Sequence, residues 1–211
     1  MRMKRKRAPV RSDFPLLRPP YPVILASSSP QRRELLGRIL EEFEVRVPGI
    51  EEHVDESLQP NELVRELAKQ KAQAVAGRTV GEAIIIGADT VAWCRGSVIG
   101  KPADRDDAIR TLLVLSQHPH SVLTGICVLA PGFSREDAVE TRIRMHPMTR
   151  EQAAHYADFG NALDKAGAYA LQEQADEFVA RLEGSFSNVV GLPLEWLTET
   201  RWSPYLVGAG I

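Results

Sequence analysis

The chain has 211 residues, 44% of them hydrophobic, with 26 basic and 28 acidic side chains and a formal net charge of −2. That length suits one large domain or two small lobes around a packed core, and the balanced charge gives no overall attraction for nucleic acid or an anionic membrane. Cys94 and Cys127 belong to no CxxC or Cys/His cluster, so neither a zinc site nor a disulfide framework is signalled and a reducing, cytoplasmic setting is expected; no apolar run approaches the roughly 18 residues of a membrane span.

The first segment, MRMKRKRAPVRSDFPLLRPPYP, carries seven basic residues and one acid before a run of prolines. It lacks the apolar stretch of a secretory signal, and Asp13 with little serine argues against a transit peptide. Residues 1–21 are therefore expected to form an unfolded extension, 22–203 the folded unit and 204–211 a tail. Ile24, Leu25 and Ala26 end an apolar run read as a buried strand, after which Ser29 is placed as an N-cap and Pro30 as the first residue of a helix. Arg32 and Arg33 fall in its opening turn, where cations are unfavourable by about 0.3–1 kcal/mol; either they bend into solvent or an anion lies nearby.

FEVRVPGI, residues 43–50, alternates like a strand, and EEHVDES follows as an acidic loop. Pro60 opens a helix that Gly77 closes, with Leu63, Val64, Leu67, Ala68 and Val75 on one stripe. Lys71 shares that stripe. Either its stem lies on apolar surface with the amine reaching water, or the ammonium points inward toward an anionic partner. The apolar run Ala83 to Ile86 ends at Gly87 and Ala88 and delivers Asp89 at a strand end, as a cap residue or as a site carboxylate; a turn at Arg95 and Gly96 predicts a hairpin that returns Lys101 toward that strand.

Asp104 caps a further helix, and two more strands are expected with a polar loop between them at Gly132 to Asp137. Thr149 and Gln152 have the spacing of a capping box for a helix that stops near Gly160. In the loop NALDKAGAYALQ, glycine and alanine around Asp164 and Lys165 suit a binding wall. The last segment reads as a strand, a Gly-Ser turn, a second strand-like piece and a helix from about Pro193. His53, His118, His120, His146 and His155 form no HExxH pattern, and His118 and His120 read as solvated loop residues; GxSxG, GxGxxG and the GxxxxGK[ST] loop are absent. The mixture of crossovers and hairpins predicts an α/β protein with a mixed sheet.

Cations to hold phosphates and carboxylates to hold a hard metal together describe a site for phosphoryl chemistry. Five blocks, LASSSPQRRELL, AKQKAQAVA, IIGADTVAWCRGSVIGKPAD, LDKAGAYALQ and SNVVGLPL, occur in this order from about Val23 to Leu197. In them the chain resembles the Maf family, the septum-formation-associated nucleoside triphosphate pyrophosphatases. The resemblance implies a long, twisted mixed sheet flanked by helices, two lobes around a central cleft, and kinship to inosine triphosphate pyrophosphatases. It also implies Mg²⁺-assisted hydrolysis of a nucleoside triphosphate to the monophosphate and pyrophosphate, often by a homodimer. It assigns Asp89 as proton acceptor, Glu52 with Asp89 to the metal, and Ser27, Arg32, Lys71 and Lys101 to the phosphates. Thr90 and Gln172 match positions that accompany a preference for dTTP and UTP. Gln31 stands where that branch carries an arginine, and a neutral amide supplies neither its charge nor its fork. A nucleotide-binding regulator of cell division and a pyrophosphatase for inosine or 7-methylguanosine triphosphates are the competing readings.

Overall fold

The computed structural model describes residues 14–55, 57–159, 163, 166–169 and 178–199. The expected specificity residue Gln172, the loop residues Asp164 and Lys165, and the tail 204–211 lie outside them. Among the described residues, no helix is long and apolar enough to cross a membrane.

The first strand, β1 (Val23–Ala26), is buried throughout and gives way at three serines to α1 (Pro30–Leu36). Ser29 holds extended backbone and its hydroxyl accepts from the Arg32 N–H at 3.4 Å, as an N-cap should. The chain then forms β2 (Glu44–Val45), α2 (Pro60–Ala76), β3 (Ile84–Cys94) and β4 (Ser97–Ile99). After these come α3 (Arg105–Gln117), β5 (His120–Ala130), β6 (Phe133–Met145) and α4 (Arg150–Phe159). A 3₁₀ turn at Ala166–Ala168, β7 (Val179–Glu183), α5 (Phe186–Val190) and α6 (Leu194–Thr198) complete the described chain.

One mixed sheet runs β2-β1-β3-β5-β6-β7, with β4 also paired to β3. The mixed α/β architecture expected from the sequence is thus present. β1 pairs parallel with both neighbours, while β3, β5, β6 and β7 form antiparallel ladders.

Several elements differ from expectation. Of residues 43–50 only Glu44 and Val45 pair, because β2 is the outermost strand and Pro48 and Gly49 turn the chain away. Asp89 is in the middle of β3, not at its end: nine consecutive residues from Ile85 to Trp93 ladder with β5, and that pairing carries the strand through Gly87 and Ala88. The turn between β5 and β6 is only Pro131 and Gly132, the latter at φ +69°, so residues 133–137 are strand. The strand-like FSNVV is helix α5, capped by the Ser185 hydroxyl and ended by Gly191 in the left-handed region, two local signals that outweigh its β-branched residues. His120 is buried at the start of β5 instead of solvated, its Nε2 2.8 Å from the Tyr169 hydroxyl, and burial pushes its pKa down. Residues 14–21, expected within the unfolded extension, also join the fold: Leu17 is 6% exposed and its N–H donates to the Ile39 carbonyl.

Helix α2 covers one face of the sheet, packing Ala68, Ala72 and Val75 on Ile24, Ala26 and Ile85. Its approach is extreme at two glycines. A Cβ at Gly87 would stand 2.3 Å from the Ala68 carbonyl oxygen, and one at Gly125 would stand 1.9 Å from that of Val64. Gly125→Ala is therefore expected to force α2 off the sheet, lowering stability by about 1–3 kcal/mol or more. Thermal unfolding measures this loss, and an unchanged midpoint would contradict the packing.

The other face carries two separate apolar clusters. One joins β1, α1 and α6 through Leu25, Leu36, Ile86, Ala88, Ile126 and Leu197; the other joins α3 and α4 to Cys94, Val122 and Ile143. Between Ala88 and Cys94 on β3 stands Thr90, and between Val122 and Ile126 on β5 stands fully buried Thr124. A polar seam thus divides the two lobes.

Candidate active site

The site arises from a break in strand pairing. On one edge of β3, β1 pairs as far as Gly87 and β4 begins at Ala92. β1 stops because Ser27 to Ser29 lead into a helix, and β4 stops before Gly100 and Pro102, the latter having no N–H to donate. Ala88, Asp89, Thr90 and Val91 consequently have no strand neighbour on that edge among the described residues. Successive side chains alternate across a sheet, so Asp89 points toward α2 and Thr90 toward the seam.

Under α2, the Lys71 ammonium lies 2.5 Å from Asp89 Oδ1 and 3.0 Å from Glu52 Oε1. The Lys71 and Asp89 side chains are each 12% exposed and that of Glu52 is 40% exposed. Of the two readings for a lysine on the apolar stripe, the anionic partner is the one present. Glu52 belongs to the acidic loop, which α2 holds through Gln70. Gln70 accepts from the His53 N–H at 3.0 Å and donates to the His53 carbonyl at 3.2 Å. Just past the end of α2, the Arg78 guanidinium donates to the Val47 and Pro48 carbonyls, which tethers the segment leading into that loop.

On the opposite face, Arg32 turns inward from α1. Its Nε donates to the Gly191 carbonyl at 2.8 Å, Nη2 to Thr90 Oγ1 at 2.9 Å and Nη1 to Ser27 Oγ at 3.4 Å. Burial pushes its pKa down, while Asp89 and Glu52 pull it up; a guanidinium remains charged under both influences. Ser27 is itself 3% exposed and accepts from the Ser29 N–H. Arg33 is exposed and lines a groove of about 620 Å³ with Ser28, Ser29, Phe43 and Val47.

Six predicted site residues, Ser27, Arg32, Glu52, Lys71, Asp89 and Thr90, thus gather around the unpaired edge. Gln31 does not join them: its side-chain oxygen accepts from the Ser29 hydroxyl at 3.0 Å, which folds the amide back over the helix cap. Lys101 lies just past β4, at the far rim of the gap, exposed and without an ion pair among the described residues.

The family model described as Maf-like protein matches residues 22–200. The chain belongs to the Maf family. Its relatives include a protein named dTTP/UTP pyrophosphatase from Symbiobacterium thermophilum, 43% identical over 192 residues, covering 89% of this chain and 98% of that one. A protein of the same name from Vibrio cholerae is 40% identical over 82% of this chain and 92% of its own. Among solved structures, the Staphylococcus aureus Ham1 protein aligns over 83% of this chain and 95% of that one, at 14% identity and a TM-score of 0.47, a likeness too loose to carry an assignment.

Within this Maf chain, four contributors escaped the sequence reading. Gln70 sets the loop that bears Glu52, Gly191 supplies a carbonyl to Arg32, and Thr124 and Asn188 lie behind Thr90. Only the Gly191 position had a local signal, as a helix-stopping glycine in the SNVVGLPL block.

Proposed function

We propose that the protein is a nucleoside triphosphate pyrophosphatase acting on dTTP and UTP, releasing the monophosphate and pyrophosphate. The observation that carries this reading is the convergence of Lys71, Asp89 and Glu52 at an unpaired strand edge, with Arg32 on the opposite face. The names of the relatives supply the substrate class. Such a gap admits a phosphate chain between fixed cations, where preorganised charge is worth more than in water.

Asp89 and Glu52 fit a hard divalent cation, since both reach a single cation-sized position, the one the Lys71 ammonium holds. Two carboxylates are a sufficient protein contribution for Mg²⁺, which fills its remaining positions with water and phosphate oxygens. When bound there, Mg²⁺ would neutralise phosphate charge and polarise the phosphoryl oxygens. Asp89 accepts the proton of a water attacking the α-phosphorus, the bond from that phosphorus to the bridging oxygen breaks, and pyrophosphate carries away the electron pair. With that position taken by the metal, the Lys71 ammonium would turn to the phosphate chain, which Arg32 and Ser27 also bind. Lys101, on a solvated rim, closes on the phosphates when they arrive. A homodimer in the cytoplasm completes the proposal.

The test is pyrophosphate release from dTTP, UTP, ITP and 7-methyl-GTP with Mg²⁺ and with excess EDTA. Turnover of the two pyrimidine nucleotides, lost in EDTA and restored by Mg²⁺, is the expected result. Preference for ITP or 7-methyl-GTP would overturn the substrate assignment, and saturable binding without turnover would make the protein a nucleotide-responsive regulator.

A further inference from the structure

The Arg32 guanidinium is held by a hydrogen-bond relay whose direction is determined, and the relay begins in the buried seam far from solvent. Thr124 Oγ1 lies 2.9 Å from the Asn188 carbonyl oxygen. A carbonyl only accepts, so the single Thr124 hydroxyl proton is committed there. Thr124 Oγ1 also lies 2.9 Å from Thr90 Oγ1. With its own proton used, Thr124 must accept in this contact and Thr90 must donate. The Thr90 proton therefore points into the seam, and its lone pairs face the Arg32 Nη2 donor at 2.9 Å.

The end of the relay is rigid. Thr124 and Asn188 are both fully buried. Asn188 donates through Nδ2 to the Val122 carbonyl at 3.1 Å and to Thr141 Oγ1 at 3.0 Å, and its N–H is capped by the Ser185 hydroxyl at 2.9 Å. Three residues farther on, Gly191 presents its carbonyl to Arg32 Nε at 2.8 Å. The short helix α5 and its C-cap Gly191 thus anchor the guanidinium at two corners, Gly191 directly and Asn188 through two threonines.

We infer that Thr124 is a positioning residue for substrate: through Thr90 it holds the Arg32 guanidinium in a phosphate-binding orientation before the nucleotide arrives. Thr90 then influences substrate choice through the arginine it orients and need not touch the base. Preorganisation of this kind lowers the ordering cost of binding, so its loss raises KM more than it lowers kcat. The inference rests on the proposed pyrophosphatase activity for its kinetic arm only.

The experiment compares Thr124→Val, which is near-isosteric and removes the relay oxygen, with Thr124→Ser, which retains it. Thr124→Val is expected to raise the KM for dTTP about tenfold with kcat changed less than about threefold, the scale of one weakened hydrogen bond to a charged group. Thr124→Ser should stay within about twofold of the parent. In an Arg32→Lys background, Thr124→Val should add less than about twofold, because coupled residues act non-additively. A second arm needs no substrate. Proton-exchange protection of the Arg32 Nη2 protons, the donors to Thr90, followed by ¹⁵N magnetic resonance and assigned with Arg32→Lys, should fall in Thr124→Val and persist in Thr124→Ser. Unchanged protection in Thr124→Val overturns the relay. So does a KM rise of equal size in both arginine and lysine backgrounds, which would mark a merely structural residue. If the parent protein turned over no nucleoside triphosphate, the proposed function would fail while the magnetic-resonance arm still decided the relay.

Discussion

Asp89→Asn is expected to slow pyrophosphate release from dTTP by about 10²–10⁴-fold, the usual contribution of a positioned general base. The substitution is isosteric, and an amide can neither take a proton nor offer a second anionic oxygen to a cation. Fold integrity should survive, because Lys71 keeps Glu52 at 3.0 Å and the nine-residue β3–β5 ladder does not depend on the Asp89 side chain. Initial rates at saturating nucleotide, with circular dichroism on the same sample, check both halves. Full turnover in the variant would place the proton acceptor elsewhere.

Lys71→Met is expected to act on stability and activity together. It leaves two carboxylates facing one position with no cation between them. Breaking a buried ion pair by removing one partner costs about 3–5 kcal/mol; with Glu52 40% exposed, solvent screening reduces the expected loss to about 1–3 kcal/mol. Without nucleotide, millimolar Mg²⁺ should restore part of that loss in the variant and much less in the parent, where the ammonium occupies the position until a phosphate chain draws it away. Urea unfolding with and without Mg²⁺ measures this difference, and equal Mg²⁺ responses would remove Asp89 and Glu52 from the metal site. Turnover should fall about 10²-fold as a fixed cation is lost.

How much of this was legible depended on the range of the interaction. Ser29 before Pro30, Asp104 before α3, and Thr149 with Gln152 are caps that act within one helical turn, and each performs as its spacing predicted. The stripe on α2 placed Lys71 inward for the same reason: helical periodicity is a local geometric fact. The errors lie where distant chain decides. Gly87 and Ala88 look like a strand end until β5 is present to pair them, and FEVRVPGI looks like a strand until it is seen to have a neighbour on only one side. His120 reads as a loop residue because Pro119 precedes it, whereas Tyr169, 49 residues away, supplies its burial partner.

By itself, the amino-acid sequence determined the helix caps, the apolar faces, the mixed α/β class and, through five ordered blocks, the family. Those properties are encoded in residues within a turn or a strand of one another, or in a pattern that relatives share. Tertiary structure alone decided that one nitrogen would bridge Asp89 and Glu52, that Gln31 would fold back on Ser29 while Arg32 turned inward, and that Thr124 would stand behind Thr90. Apart from the short-range contact of Gln31 with Ser29, each of these requires chain segments many residues apart to meet within about 3 Å, and the direction of a hydroxyl proton is settled only when all of its neighbours are in place.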